Sequence, residues 1–215
     1  MDEGSIMADM KTEFNPVVSP VVGTYSFSDL AEGTNFMTLY AFRVVNGAGF
    51  LYKLSQQAQW CEDTKNGVGA EYDGKSLTDV DFDLAPFGLS QEIEGTMRCQ
   101  IPTYYTGGAS PTYAIQIKLR KWDGSTETEI ANVTSDTYTA GEQENFIVMD
   151  ITVPRTYFAA GDVLRVSILT SVGGSPTPNV HIAISPQNDD TTNFTVETNT
   201  PTTVCKFDVP VKINK

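Results

Sequence analysis

The chain has 215 residues, a formal net charge of −13 and 40% hydrophobic residues. Its Lys and Arg residues are few and scattered, whereas binding to phosphate groups needs them clustered, so the composition excludes a nucleic-acid-binding role. The acidity also disfavours an anionic membrane surface, and no apolar run is long enough to cross a bilayer. We therefore expect neither a nucleic-acid partner nor a membrane partner.

Residues 1–23 are expected to form an extended N-terminal arm. Pro16 and Pro20 favour extended geometry in the residues before them and prevent a helix. The acidic start has no apolar stretch of the kind that a secretory signal carries, which predicts synthesis in a cytoplasm. The arm residues that we predict to contact neighbouring subunits are Phe14, Pro16, Val17 and Val18.

Strand patterns begin at Thr24. The residues from Phe36 to Val45 are dense in apolar side chains and predict a central strand. Asn46-Gly47 follows directly, and this pair is a strong signal for a hairpin turn. Phe50 to Leu54 is predicted to be the returning strand.

Asp79, Asp81 and Asp83 alternate within the next strand pattern and should share one face of it. Calcium prefers several oxygen ligands, so these three carboxylates are the candidate metal ligands of the chain. The alternative is a solvated acidic strand, which the absence of an EF-hand loop spacing favours. We therefore expect no bound metal and no cofactor.

Residues 103–112 read as a Gly-rich loop that carries Tyr104 and Tyr105. Aromatic rings in loops can stack on sugars or anchor a protein interface, so these two tyrosines are the candidate binding residues of the domain.

The clearest hairpin is predicted from Tyr113 to Val133, with its turn at Asp123-Gly124. Lys118 and Arg120 should lie on its solvated face. Further strands are predicted at 145–154, 163–170, 179–185 and 203–213. Pro210 in the last of them suggests an edge strand or a strand end.

These patterns predict an all-β fold: a single jelly-roll-like β-sandwich at residues 24–215, preceded by the arm at 1–23. The chain has one histidine, His181, and no sequence signature of a nucleotide loop, a zinc protease or a serine-nucleophile turn. Cys61, Cys99 and Cys205 are expected to be reduced thiols that pack as small apolar groups. Without a catalytic constellation, the expected function is not enzymatic.

The C-terminal third resembles small jelly-roll proteins of the virions of tailed bacterial and archaeal viruses. The resemblance lies in a strand entry containing Gly161-Asp162, an Asn/Asp-rich turn and a closing amphipathic strand, at 152–170, 180–190 and 203–213. It implies a capsid decoration, cement or minor capsid protein that stabilises the viral head. The implied partners are the major capsid protein and further copies of this chain in a homotrimer, and the implied location is the capsid surface.

A second hypothesis remains open from the residues alone. A β-sandwich with loop tyrosines also suits a carbohydrate- or receptor-binding module, such as part of a head fibre or tail adhesin, with a surface glycan as its ligand. Tyr104 and Tyr105 are the residues on which this alternative depends.

Overall fold

Alternation of apolar and polar residues produces β-strands throughout the described part of the chain. The computed structural model describes residues 34–46, 49–58, 71–74, 79–106, 109–139, 145–175, 179–184 and 204–212. Every element in these ranges is a strand, which confirms the all-β prediction, and they contain no helix that could span a membrane. The strands are β1 Thr34–Asn46, β2 Gly49–Ser55, β3 Glu71–Gly74, β4 Val80–Asp83, β5 Gln91–Thr106, β6 Ala109–Trp122, β7 Glu127–Thr134, β8 Tyr138–Thr139, β9 Asn145–Phe158, β10 Val163–Ser175, β11 Asn179–Ala183 and β12 Lys206–Lys212.

One hydrogen-bonded path connects the strands in the order β3-β11-β5-β12-β1-β2-β4-β10-β6-β7, while β9 pairs with β5 and β8 with β6. The pairing of β2 with β4 is a parallel bridge between Lys53 and Asp83. We name the strands β9-β5-β12-β1-β2 the front sheet and the strands β4-β10-β6-β7 the back sheet. The two sheets pack as the predicted β-sandwich, and Tyr52 meets Phe82 edge to face across their junction, with ring centroids 5.3 Å apart.

The core lies between the two sheets and follows the alternation of the sequence. In β6, the inward side chains from Tyr113 to Leu119 are at most 1% exposed. In β9, the inward residues Ile147, Met149, Ile151 and Val153 are 2–7% exposed, as predicted. Residues of both sheets form one continuous apolar cluster, so burying it requires the sheets to stack.

Both predicted hairpins are present. Asn46 pairs with Gly49 at the end of the antiparallel β1–β2 ladder. In the β6–β7 hairpin, Asp123 Oδ1 accepts hydrogen bonds from the backbone N–H groups of Ser125 (2.9 Å) and Thr126 (2.7 Å). These bonds, the one from Thr126 above all, lower the pKa of Asp123. Gly124 takes a φ of 94°, which a residue with a Cβ atom rarely adopts.

The prediction of a loop at residues 103–112 is wrong. Tyr104 and Tyr105 lie in β5, which continues to Thr106, and β6 begins at Ala109. Their backbone pairs with β11, where Tyr104 stands opposite His181 and Tyr105 opposite Val180. The high β-propensity of Thr and Tyr and the presence of a partner strand outweigh the nearby glycines.

The prediction that Pro210 marks an edge or a strand end is also wrong. Its strand β12 lies between β5 and β1, and the register with β5 shifts between Asp208 and Val211. This irregularity accommodates a residue that has no N–H group to donate. Gly95 of β5 lies against it with a φ of 131°, and a Cβ atom there would stand 3.3 Å from Pro210 Cβ.

A tight turn joins β9 of the front sheet to β10 of the back sheet. Gly161 takes a φ of 96°, and Asp162 Oδ2 accepts the backbone N–H of Ala159 at 2.6 Å. Lys121 Nζ lies 2.7 Å from the same oxygen. The hydrogen bond from Lys121 is the main reason that the pKa of Asp162 lies below its ordinary value. The Gly-Asp pair therefore closes a connection between the two sheets.

Several predictions fall outside the described residues. The arm at 1–23, with Phe14, Pro16, Val17 and Val18, lies there, as does Cys61. The domain boundaries therefore stay predictions. Cys99 and Cys205 are free thiols buried in the core, and burial raises the pKa of both.

Candidate functional site

The outward face of the back sheet carries the densest group of charges among the described residues. Alternation along β4 and the residue before it turns three carboxylates to this face, and β6 and β10 turn three cations toward them. Glu127 at the start of β7 adds a fourth carboxylate. We name this group the ionic network, and its members are Asp79, Asp81, Asp83, Lys118, Arg120, Glu127 and Arg165.

Arg165 is the best-connected member of the ionic network. Its Nε and Nη2 atoms donate to the two oxygens of Asp83 at 2.7 and 3.1 Å, a bidentate pair. Its Nη1 atom donates to Glu127 Oε2 at 2.6 Å and lies 3.3 Å from Asp81 Oδ2. The guanidinium carbon is 5.4 Å from the ring centroid of Trp122. The hydrogen bond with Asp83 is the main reason that the pKa of Arg165 is raised.

Arg120 stands directly opposite Arg165 on the neighbouring strand. Two like charges in this position repel each other and destabilise the sheet unless carboxylates lie between them. Its Nη2 atom donates to Asp79 Oδ2 at 2.6 Å. Its Nη1 atom lies 3.4 Å from Asp81 Oδ1 and 3.1 Å from Glu127 Oε1. Asp81 and Glu127 therefore each bridge both arginines, which turns a repulsive pair into a connected set of charges.

The cations of the ionic network lie beneath its carboxylates. The side chains of Arg120, Arg165 and Lys118 are 10%, 17% and 19% exposed, whereas those of the four acids are 26–34% exposed. Burial works to lower the pKa of Arg120, but its hydrogen bond and charge interaction with Asp79 outweigh burial and raise it. The more exposed atoms of the ionic network are thus its carboxylate oxygens, which nearly buried guanidinium groups hold in place.

We predicted that Lys118 and Arg120 lie on a solvated face. This prediction is wrong for Arg120, which is 8% exposed as a whole residue. The sequence did contain a signal for its partners. The outward positions of the 163–170 strand include Arg165, so alternation turns it to the same side as the acids. What alternation could not supply was the strand order that brings β4 and β6 to the two sides of β10.

The candidate calcium ligands Asp79, Asp81 and Asp83 lie together, but their oxygens face arginines and Ser167, whose Oγ donates to Asp81 Oδ1 at 2.6 Å. Within the described ranges, no group of three or more His, Cys, Asp or Glu side chains is placed to hold a metal ion. A cation at the three aspartates would have to displace both arginines. The arrangement instead suits contact with a partner that presents hydrogen-bond donors or positive charge.

Ser167 cannot serve as a nucleophile in this arrangement, because it is fully buried and its hydroxyl donates to Asp81. The other predicted binding residues, Tyr104 and Tyr105, are described only by their backbone in β5. Their assignment to binding stays a prediction.

No protein-family model and no curated protein matches this sequence. The fold is similar to parts of solved hydrolases. An α-amino acid ester hydrolase aligns with a TM-score of 0.54 at 12% identity, over 82% of this chain and 36% of that protein. A CocE/NonD family hydrolase from Staphylococcus aureus aligns with a TM-score of 0.52 at 11% identity, over 84% and 37%.

An aminopeptidase from a marine sediment archaeon, Thaumarchaeota archaeon, aligns with a TM-score of 0.55 at 8% identity, over 85% of this chain and 37% of that protein. The chain thus spans a little over a third of the length of each of these hydrolases. A pentameric capsid protein from metagenomic phage sequences aligns with a TM-score of 0.15, which is too low to indicate a shared fold.

These findings correct two predictions. The chain was expected to be a virion structural protein and not an enzyme, but the solved structures that align with it at TM-scores of 0.52–0.55 are hydrolases. The virion prediction relied on turn and strand motifs that any β-sandwich uses, as the structural role of Gly161-Asp162 illustrates. The prediction of no enzymatic function relied on missing motifs, which say little about a chain that aligns with only 36–37% of each of these hydrolases.

The predicted partners and location are not tested by the structure. The homotrimer and the surface glycan stay predictions. The major capsid protein as partner and the capsid surface as location, with synthesis in a host cytoplasm, depended on the virion role that is now corrected.

Proposed function

We propose that this chain acts in hydrolysis, as the β-sandwich module of a hydrolase that cleaves ester or amide bonds. The observation that carries the proposal is the alignment of 82–85% of this chain with hydrolases at TM-scores of 0.50–0.55. The bond class follows from the names of two of them, an ester hydrolase and an aminopeptidase. Because the alignment covers 36–37% of those proteins, the proposal assigns bond cleavage to a second part of the enzyme.

Within this proposal, the back sheet is the side that contacts the second part. Contacts between domains of one enzyme are more polar than obligate interfaces, and the ionic network supplies a polar surface whose charges are already ordered. Ordering side chains at an interface costs free energy. The bidentate pair of Arg165 with Asp83 already orders these two side chains within the module, so their ordering adds no further cost when the second part binds.

The test is hydrolysis by the assembly that contains this chain. The chain is tagged, recovered from its source cells and assayed with a p-nitrophenyl ester and an aminoacyl p-nitroanilide, beside an untagged strain. We expect hydrolysis above that of the untagged strain. Absence of hydrolysis in the recovered assembly overturns the proposal. Full activity of the purified chain alone overturns the assignment of cleavage to a second part.

A matched pair of variants tests the role of the back sheet. Glu129 of β7 is exposed and accepts one hydrogen bond, from Asn132. Asp150 of β9 is an exposed acid of the front sheet, paired with Arg98. We expect Glu129→Lys to lower the recovered activity at least about tenfold, the loss that ~1.4 kcal/mol of contact free energy causes, and Asp150→Lys to leave it unchanged. Equal effects of the two variants contradict the assignment.

A further inference from the structure

Exposed apolar side chains concentrate on the outward surface of the front sheet, which we name the front face. Among the described residues six large apolar side chains are exposed, and five of them lie on the front face. These five are Phe36, Leu51, Phe146, Val148 and Tyr157. The sixth, Leu89, lies in the connection before β5. Inward neighbours such as Leu39 and Ile147 are buried, so the apolar residues of the front face are additional to what the core needs and indicate a contact surface.

The front face is nearly neutral in a strongly acidic chain. Its charged residues are five cations and four carboxylates: Lys53, Glu92, Glu94, Arg98, Asp150, Arg155, Lys206, Asp208 and Lys212. Its net charge is therefore +1, whereas that of the chain is −13. Two copies of an acidic chain repel each other, and the front face is a surface on which they can approach with little of that repulsion.

The middle strands of the front face, β5 and β12, carry charges of opposite sign at matching levels. Arg98 of β5 stands opposite Asp208 of β12 in the register, and Glu92 of β5 stands opposite Lys212 of β12. Arg98 also holds a bidentate pair with Asp150 of β9, at 2.9 and 3.0 Å. Burying these strands against a partner would therefore not leave the guanidinium group unpaired.

The strands on either side, β9 and β1, carry apolar residues at matching levels. Val148 of β9 and Tyr40 of β1 lie level with each other, as the register through β5 and β12 shows. Phe146 and Phe42 occupy the next outward positions in the same direction, because β9 and β1 run antiparallel. The front face thus has two apolar flanks with a charged stripe between them.

This layout is self-complementary about a two-fold axis. Sheets stack face to face with their strands nearly aligned. An axis in the plane of contact, along the boundary between β5 and β12, places β5 of one copy over β12 of the other and β9 over β1. Residues that are level in one sheet then face each other between copies. Arg98 faces Asp208 of the second copy and Glu92 faces its Lys212, so opposite charges meet.

We propose that two copies of this chain bind each other front face to front face about this axis. Val148 of each copy packs against Tyr40 of the other, and Phe146 packs against Phe42. The contact gives a dimer, whereas the sequence analysis expected a homotrimer. It leaves the polar back sheet available to another protein, and it does not depend on the proposed hydrolytic function.

The test is sedimentation velocity of the full-length chain between about 1 and about 100 μM, a range that covers contacts of modest affinity. We expect the sedimenting mass to rise to twice that of the monomer. A chain that stays monomeric throughout this range, or that forms a trimer, overturns the proposal.

A matched pair of variants locates the contact. Val148 of β9 and Thr134 of β7 are both exposed β-branched residues, and Thr134 belongs to the back sheet. We expect Val148→Lys to weaken dimerisation at least about tenfold, because its ammonium group comes beside Lys206 of the second copy, the register partner of Tyr40. Thr134→Lys should leave dimerisation unchanged. Equal effects of the two variants overturn the assignment to the front face.

Mixing two variants tests the axis. Tyr40→Glu alone should also weaken dimerisation, since it removes the ring that faces Val148. An equal mixture of Val148→Lys and Tyr40→Glu chains should form a heterodimer, because the introduced ammonium and carboxylate groups then face each other. Circular dichroism spectra like that of the wild type show that each variant is folded. Folded variants that remain monomeric in the mixture contradict the assigned axis.

Discussion

The two sheets of this sandwich share one core and have opposite outer surfaces. The back sheet covers two nearly buried arginines with four carboxylates, while the front sheet displays aromatic and aliphatic residues along β1 and β2. The charge of a residue therefore does not predict its exposure in this protein. The charged Arg120 is 8% exposed, whereas the apolar Phe36 is 47% exposed. The difference shows that an arginine can be nearly buried when several carboxylates surround its guanidinium group.

The largest expected effect is on the stability of the back sheet. Arg165→Leu leaves Asp83, Asp81 and Glu127 without their shared cation, and we expect the free energy of unfolding to fall by about 3 kcal/mol. The value is at the low end for a buried pair because the carboxylates keep partial contact with water. Urea denaturation measures it.

The control for that prediction is Arg98→Leu in the front sheet. Arg98 forms an equally well-aligned bidentate pair with Asp150, at 2.9 and 3.0 Å, but the two side chains are 56% and 45% exposed. We expect no measurable loss of stability, since exposed ion pairs contribute little. Similar losses for Arg165→Leu and Arg98→Leu would remove the distinction between the two sheets.

A smaller effect is expected in the front sheet at Gly95. Gly95→Ala places a Cβ atom 3.3 Å from Pro210 at a φ of 131°, so we expect a loss of about 2 kcal/mol from backbone strain and crowding. Gly88→Ala is the matched control, because a Cβ atom at Gly88 has nothing within 4 Å. Thermal and urea denaturation of the two variants should differ clearly. A neutral Gly95→Ala would show that the β5–β12 irregularity adapts freely.

The smallest expected effect concerns the turn between the sheets and depends on pH. The pKa of Asp162 is lowered in the folded protein, chiefly by its hydrogen bond with Lys121. On acidification the unfolded chain therefore takes up this proton first. The stabilisation is present above the ordinary aspartate pKa of about 3.9 and is lost as the pH falls through the lower folded-state value.

Asp162→Asn removes this titration, so its stability should fall less steeply than that of the wild type between about pH 5 and pH 2. Denaturation curves recorded across this range give the two slopes. Parallel slopes would mean that the Lys121 contact does not contribute to acid sensitivity.

Alternation within single strands could be read from the sequence, as the inward rows of β6 and β9 and the shared face of the three aspartates demonstrate. Pairing between distant strands could not. Nothing local in the sequence indicates that β10 lies between β4 and β6, and that order is what brings Arg165 to Asp83 and Arg120 to Asp79. For the same reason, the sequence led to the wrong prediction of an edge or a strand end at Pro210. The irregularity that accommodates Pro210 depends on Gly95, which belongs to another strand.

The central claim is that this chain serves a hydrolase through its polar back sheet, and hydrolysis by the assembly recovered with the tagged chain tests it most directly. The account predicts ester or amide hydrolysis that Glu129→Lys reduces at least about tenfold and that Asp150→Lys preserves. An assembly without hydrolytic activity, or one that loses activity equally with both variants, would contradict it.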